Sequence, residues 1–164
     1  MQKIKSFIFL FIFLFIFWII LNPLNMQTVF LGLVVVTLLA LIFNKNGLIL
    51  AQYNITPKSI FYSFVYIIVF FIELIKSNFD VAKRVLNPRL PIKPGIVKVK
   101  TKLQSNFAKT ILANSITLTP GTLSVDIKGN YLYIHWINVT TKGIEPTTEA
   151  IVAKFEKYLE VMFG

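Results

Sequence analysis

Residues 6–44 carry no charged side chain, and Phe, Ile and Leu crowd their first half. Such a run is a membrane signature. A single helix over it would be roughly 58 Å long at ~1.5 Å per residue, about twice the ~30 Å thickness of a hydrocarbon layer. The chain therefore has to fold back on itself. Asn22-Pro23-Leu24-Asn25 supplies the break, because Pro23 lacks a backbone donor and asparagine favours turns. Two helices are predicted, near Phe7 to Leu21 and Met26 to Phe43.

Lys3 and Lys5 precede the apolar run much as a charged region precedes the core of a secretory signal. The run ends in Trp18-Ile-Ile-Leu-Asn-Pro, however, not in small residues of a cleavage site, and hydrophobicity resumes at once. Retention in the mature protein is the expectation. A third segment, Ser59 to Ile75, is apolar apart from Glu73 and a few hydroxyls, and it too is predicted to span. Trp18, Tyr53, Tyr62 and Tyr66 are placed as amphipathic rings for the headgroup boundary. Each segment is slightly shorter than the usual ~20 residues, which fits a thinned bilayer or contact with larger neighbouring helices.

Composition changes sharply after Ile75. Lys76, Lys83, Arg84, Arg89, Lys93, Lys98, Lys100, Lys102 and Lys109 stand against Asp80 alone, so most of the net charge of +10 falls here. Basic clusters beside membrane helices attract anionic headgroups and mark the cytoplasmic side. Three full crossings would nevertheless put Lys3, Lys5, Lys45 and Lys58 outside, against that rule. A first helix that does not cross completely would relieve the conflict.

The rest reads as a small α/β domain. Pro88, Pro91, Pro94 and Gly95 mark a connector. Val97, Val99, Thr101 and Leu103 then alternate with Lys98, Lys100 and Lys102, the period of a half-buried strand. Ser105 is placed to cap a helix whose apolar stripe is Phe107, Ile111 and Leu112. Pro120-Gly121 suits a type II turn. A strand with Leu123, Val125 and Ile127 follows, then Lys128-Gly129-Asn130 as a tight connection into Tyr131 to Ile137. Pro146 opens a last helix with Ile151, Phe155, Leu159 and Met162 at helical spacing. Val152 and Val161 widen its apolar side, and burial against its own sheet is the economical explanation. The expected organisation is a membrane α-helical region of about three transmembrane helices (1–76), a basic Pro-rich connector (77–95) and a small cytoplasmic α/β domain (96–164). A domain of this size buries only about 60% of its unfolded surface, so the membrane or a partner is expected to complete it.

Catalytic chemistry has little to stand on. The chain has no cysteine and one histidine, His135, which excludes Cys/His metal clusters and Cys-His nucleophiles by count. His135 is read as a packing or surface residue. No Walker loop, G-x-G-x-x-G or G-x-S-x-G pattern occurs. No catalytic, cofactor or metal residue is assigned and no cofactor is expected. Ser115, Thr117, Thr119 and Thr122 are expected to satisfy backbone groups beside the turn. An ion carrier keeps several ionisable groups at membrane depth, whereas the apolar segments here hold one acid, Glu73. That carboxylate is either a boundary pair with Lys76 at i,i+3 or a contact to an ion path in a neighbouring subunit. Asp80 is read as solvated. A rival of another class is a membrane-tethered basic module in which Lys93 to Lys109 binds anionic lipid or nucleic acid. That stretch holds only Phe107 for stacking, so nucleic acid is not expected.

Residues Phe107 to Asp126, with Ser115-Ile-Thr-Leu-Thr-Pro-Gly-Thr122 at their centre, followed by Tyr131-Leu-Tyr-Ile-His-Trp-Ile137, resemble the E subunit of the Mrp (Mnh) multisubunit Na+/H+ antiporters. The resemblance implies an accessory subunit of a hetero-oligomeric complex in a bacterial plasma membrane, exchanging Na+ or Li+ for H+, with other subunits and membrane lipids as partners. It implies that large A and D subunits carry the main ion paths, in keeping with the scarcity of ionisable groups here. Thr117, Thr119, Pro120, Gly121 and Thr122 are carried over as a family-like motif of structural kind, and Glu73 stands as the possible ion-path contact.

Overall fold

The computed structural model describes residues 2–43, 52–54 and 56–164. Lys45, counted above among the loop charges, lies outside them. The chain divides into two compact units, Met1–Tyr53 and Asn54–Gly164.

The first unit is a helical hairpin of α1 (Gln2–Leu21) and α2 (Met26–Phe43). The break falls at Asn22 to Asn25 as predicted, and side chains enforce it. Asn22 Nδ2 donates to the Trp18 carbonyl at 2.9 Å, occupying one of the carbonyls freed where α1 ends. Asn25 Oδ1 accepts from the Thr28 backbone N–H at 2.8 Å and from its hydroxyl at 2.6 Å, starting α2. Gly32, Val36 and Ala40 recur every four residues and form the buried stripe of α2. The small residues of that stripe, Gly32 and Ala40, let helices approach closely. Trp18 fills the approach: a Cβ on Gly32 would sit 2.5 Å from its Cδ1 and Nε1, and the indole N–H donates to the Thr28 carbonyl at 3.1 Å. The indole expected at a headgroup boundary is thus engaged by the neighbouring helix.

The second unit begins with α3 (Pro57–Val85), 29 residues long. Thr56 caps it, its hydroxyl oxygen accepting from the Ser59 N–H at 3.0 Å, and Pro57 occupies the first turn where its missing donor costs nothing. Hydropathy ends the segment at Ile75, yet the helix continues to Val85 because Asp80 and Arg84, at i,i+4, pair at 2.8 Å along its polar extension. By length and composition, α2 and α3 are each sufficient to cross a membrane, and Phe7–Leu21 is a shorter apolar helix.

A three-stranded antiparallel sheet follows, in the order β1 (Gly95–Lys100), β3 (Tyr131–Trp136), β2 (Thr122–Lys128). Val99 pairs with Leu132 and Val97 with Ile134, so these side chains share the inner face, where Val99, Leu132 and Ile134 are fully buried. The predicted alternation in β1 continues past the strand: Thr101 and Leu103 are buried although the strand stops at Lys100. On β2 the sequence pattern misleads. A bulge between Ser124 and Asp126 breaks the period of two, leaving Leu123 beside exposed His135 on the outer face and Ile127 beside Leu132 on the inner one.

Helix α4 (Asn106–Leu118) starts where expected, with Ser105 Oγ accepting from the Ala108 N–H at 3.1 Å. Its buried side is Ala108, Leu112, Ala113 and Ile116, while Phe107 and Ile111 are half-buried at its margin. The single last helix predicted from Pro146 is instead two, α5 (Ile144–Ile151) and α6 (Ala153–Phe163), meeting at Val152. They answer to different neighbours. Thr148 Oγ1 ties α5 to β1 by accepting from the Lys100 N–H at 2.9 Å, whereas α6 runs beside α3 and α4. Val152, Phe155 and Leu159 complete a fully buried core with Leu112 and Ile116.

The Trp18–Gly32 contact yields a double-mutant test. Gly32→Val overpacks the hairpin and is expected to destabilise it by about 1–3 kcal/mol. Adding Trp18→Ala should restore much of the loss. Resistance of the detergent-solubilised chain to proteolysis within residues 2–43 reads both effects.

Candidate functional site

The predicted turn residues lie where α3 meets the connection between α4 and β2, and Glu73 is linked to them only through Lys154. Thr119, Pro120, Gly121 and Thr122 form that turn, closed by the Thr122 N–H donating to the Thr119 carbonyl at 3.3 Å. Gly121 has φ +93°, the left-handed value that the third position of a type II turn requires. Its location leaves no room for a side chain: a Cβ would lie 3.0 Å from Ile137 Cγ2 and 3.5 Å from Val81 Cγ2 of α3. The Gly121 carbonyl in turn accepts from the Ile137 N–H at 2.8 Å.

The hydroxyls around the turn are spent on backbone. Thr119 Oγ1 and Thr122 Oγ1 both donate to the Ile116 carbonyl, at 2.7 and 2.6 Å, satisfying an acceptor freed at the end of α4. Thr117 Oγ1 accepts from the Ser124 N–H at 3.0 Å. Ser115 Oγ donates to the Ile111 carbonyl at 2.8 Å and accepts from the buried Tyr66 hydroxyl of α3. Tyr66, expected among the headgroups, therefore faces inward, with its ring edge-on to Phe155.

Glu73 stands on the same side of α3 as Tyr66. Lys76 Nζ lies 3.1 Å from its Oε1, the i,i+3 pair expected from the sequence. Lys154 Nζ of α6 lies 3.0 Å from Oε2, so each carboxylate oxygen holds one ammonium. Lys154 also lines a small open cleft of about 140 Å³ with Ser77, Asp80, Thr119, Pro120 and Thr122. Glu73 and the Thr-Pro-Gly turn, unconnected in the sequence, thus share a neighbour in Lys154. A cleft of that volume holds a few waters; pockets for organic ligands begin near ~300 Å³.

Three further polar residues emerge only in the structure. Glu156 of α6 is buried, and its Oε1 accepts from the Thr101 hydroxyl and from the Lys102 N–H at 2.8 Å. Lys109 is buried as well, donating to the Gly129 carbonyl at 2.9 Å and to Asn130 Oδ1 at 2.8 Å, so one member of the basic cluster locks the β2–β3 connection instead of meeting a ligand. Lys154 had no local signal, since its partner Glu73 lies 81 residues away. His135 is exposed on the outer face of the sheet, and among the described residues no group of His, Cys, Asp and Glu is arranged to hold a metal ion.

An apolar helical hairpin and a small α/β unit, whose buried polar residues serve its own backbone, make up a membrane protein. A family model described as "Na+/H+ ion antiporter subunit" matches residues 11–162, and the chain belongs to that family. The resemblance drawn from Ser115 to Thr122 therefore holds. The chain is 52% identical over 75 residues to the E subunit of the Na(+)/H(+) antiporter of Alkalihalophilus pseudofirmus, covering 44% of this chain and 48% of that one. It is 36% identical over 128 residues to an E1 subunit of the Na(+)/H(+) antiporter of Staphylococcus aureus, 77% of this chain and 74% of the relative. The first two curated relatives are matched over about half their length, 48% and 57%. A chain of the membrane-bound sulfane sulfur reductase, an archaeal respiratory membrane complex, superimposes with a TM-score of 0.83 at 41% identity, covering 95% of this chain and 98% of that one.

Gly121→Ala checks the turn. The left-handed conformation costs a residue with a Cβ about 1–2 kcal/mol, and the Ile137 contact adds to it. Faster hydrogen exchange at the Ile137 amide, with a lowered unfolding midpoint, is the expected result.

Proposed function

We propose that this chain is an accessory subunit of a multisubunit Na+/H+ antiporter in a bacterial plasma membrane, supporting Na+ efflux driven by the proton gradient. Membership of the antiporter subunit family carries the reading. The polar inventory supports it: Glu73, the one acid between Ser59 and Ile75, has both oxygens held by lysines, which is an arrangement for fixing helices and not for passing ions. Coupled transport then belongs to other subunits, and this one braces them. Likeness to a chain of a respiratory complex supports the same view, since a fold used in another kind of assembly need not itself select sodium.

The apolar hairpin is the membrane anchor in this reading. The second unit faces the cytoplasm, because its basic residues obey the positive-inside rule there. Lys98 Nζ lies 4.0 Å from the centroid of the Tyr131 ring on the outer sheet face, a basic and aromatic surface for a neighbouring subunit.

Affinity purification of the tagged chain from native membranes in mild detergent is expected to bring large polytopic chains with it, and its deletion to abolish Na+ extrusion. Isolation of the chain alone, with coupled Na+ flux after its reconstitution into sealed vesicles, would reject an accessory role. Glu73→Gln is expected to weaken the α3–α6 attachment by about 0.5–1 kcal/mol while leaving the pH profile of antiport in place. A displaced pH profile in the assembled complex would assign the carboxylate to an ion path instead.

A further inference from the structure

Helix α3 has two unlike sides. Ser59, Tyr66, Phe70, Glu73 and Ser77 recur at helical spacing and face the α/β unit. Ser59 Oγ donates to the Val161 carbonyl at 3.1 Å, Tyr66 reaches Ser115, the Phe70 ring lies 6.5 Å from that of Phe155, and Glu73 pairs with Lys154. Just before the helix, the Asn54 N–H donates to the Met162 carbonyl at 2.8 Å. On the opposite side Phe61, Phe64, Ile68, Phe71, Ile75 and Phe79 form a stripe in which each residue is 55–64% exposed. A soluble domain does not leave a row of six such side chains uncovered.

Crossing the bilayer does not cover that row. The α/β unit accompanies α3 from Asn54 to Glu73, so a spanning α3 would carry α6 with Lys154, Lys157 and Glu160, and the sheet behind it, to the depth of the acyl chains. Charged side chains are costly there, and an open sheet is not tolerated in lipid. Lying flat covers it. Lys58, Lys76 and Lys83 are all exposed, and their spacings of 18 and 7 residues, five and about two helical turns, set them along one flank of the apolar stripe. Apolar face, lysine flank and polar back are the arrangement of a helix in the headgroup plane. Only 13 residues of sequence separate Phe43 at the end of the apolar hairpin from Pro57 at the start of α3, a length of chain that spans at most about 47 Å when fully extended.

We propose that α3 lies along the cytoplasmic surface of the bilayer, with its apolar stripe among the upper acyl chains and its lysine flank at anionic headgroups, so that only α1 and α2 cross. An even number of crossings returns the chain to its starting side. Lys3, Lys5, Lys45 and Lys58 then share the cytoplasmic face with the basic α/β unit, and the conflict in the charge pattern disappears.

This rests on the reading of the chain as a membrane subunit, and the experiment separates the two. The native chain has no cysteine, so Phe61→Cys, Ile68→Cys and Phe79→Cys each give a single labelling site on an exposed side chain. The tagged complex carrying one environment-sensitive label is reconstituted into vesicles of phosphatidylcholine and phosphatidylglycerol containing lipids with quenchers at graded depths. Membrane retention after alkaline washing is measured first; loss of the chain from the vesicles overturns the membrane reading and this proposal with it. Equal depths at all three sites, about 5–10 Å below the headgroup boundary, are expected. A depth gradient of roughly 15 Å between residues 68 and 79 would show α3 to span, and absence of lipid quenching would show a protein neighbour on the stripe; either overturns the proposal and leaves the subunit reading intact. An impermeant maleimide should label Lys3→Cys and Lys98→Cys from the same side; labelling from opposite sides overturns the even number of crossings.

Discussion

The seam between α3 and α6 organises the second unit. As residue numbers rise along α3 they fall along α6: Ser59 meets Val161, the Tyr62 ring lies 6.3 Å from that of Tyr158, and Tyr66 packs on Phe155. Sixty-odd residues of α/β structure bury too little apolar surface to be secure alone. The seam adds Tyr66 and Phe70 to the core around Phe155 and closes it on the side the sheet does not cover. It also fixes the rotation of α3. Once Tyr66 and Glu73 are pinned, Phe64, Ile68 and Phe71 have no choice but to face away.

Polar groups at the core follow the same logic of satisfaction. A buried carboxylate is tolerable at Glu156 because a hydroxyl and a backbone N–H converge on one of its oxygens. A buried ammonium is tolerable at Lys109 because two oxygens of the β2–β3 connection receive it. Hydrogen bonds to charged groups contribute about 1.5–3 kcal/mol each, so these two residues secure the loop after β1 and the hairpin more firmly than neutral pairs would. The basic cluster is consequently not one surface. Lys109 is internal, Arg84 is drawn to Asp80 and to the Pro91 carbonyl, and Lys98 and Lys100 stand on the open face of the sheet.

Features set by near neighbours were legible in the sequence. The Asn22 to Asn25 break, the Ser105 cap and the Pro120-Gly121 turn depend on residues a few positions apart, and the structure holds each where it was expected. Features set by distant partners were not. Nothing near Lys154 announces Glu73, and nothing in Leu123, Val125 and Ile127 announces a bulge. The character of α3 is an intermediate case. Its hydropathy is high when averaged over all sides, and the average hides the angular distribution. Ser59, Ser63, Glu73 and Ser77 all fall on one side, a polar stripe that a period of 3.6 residues makes visible once the helix is drawn as a cylinder.

The two-sided character of α3 also bears on the energetics of topology. Holding a positive charge on the unfavoured side of a membrane costs about 2.3 kcal/mol for each 100 mV of potential. Three crossings set Lys3, Lys5, Lys45 and Lys58 against that gradient, with only the cluster after Ile75 to offset them. Two crossings place every lysine and arginine of the chain on one face. The sole interruption in the uncharged run then matters more than the length of α3, because the turn from Asn22 to Asn25 is what makes the number of crossings even. A chain with a net charge of +10 then keeps its basic residues on the side of the negatively charged inner leaflet.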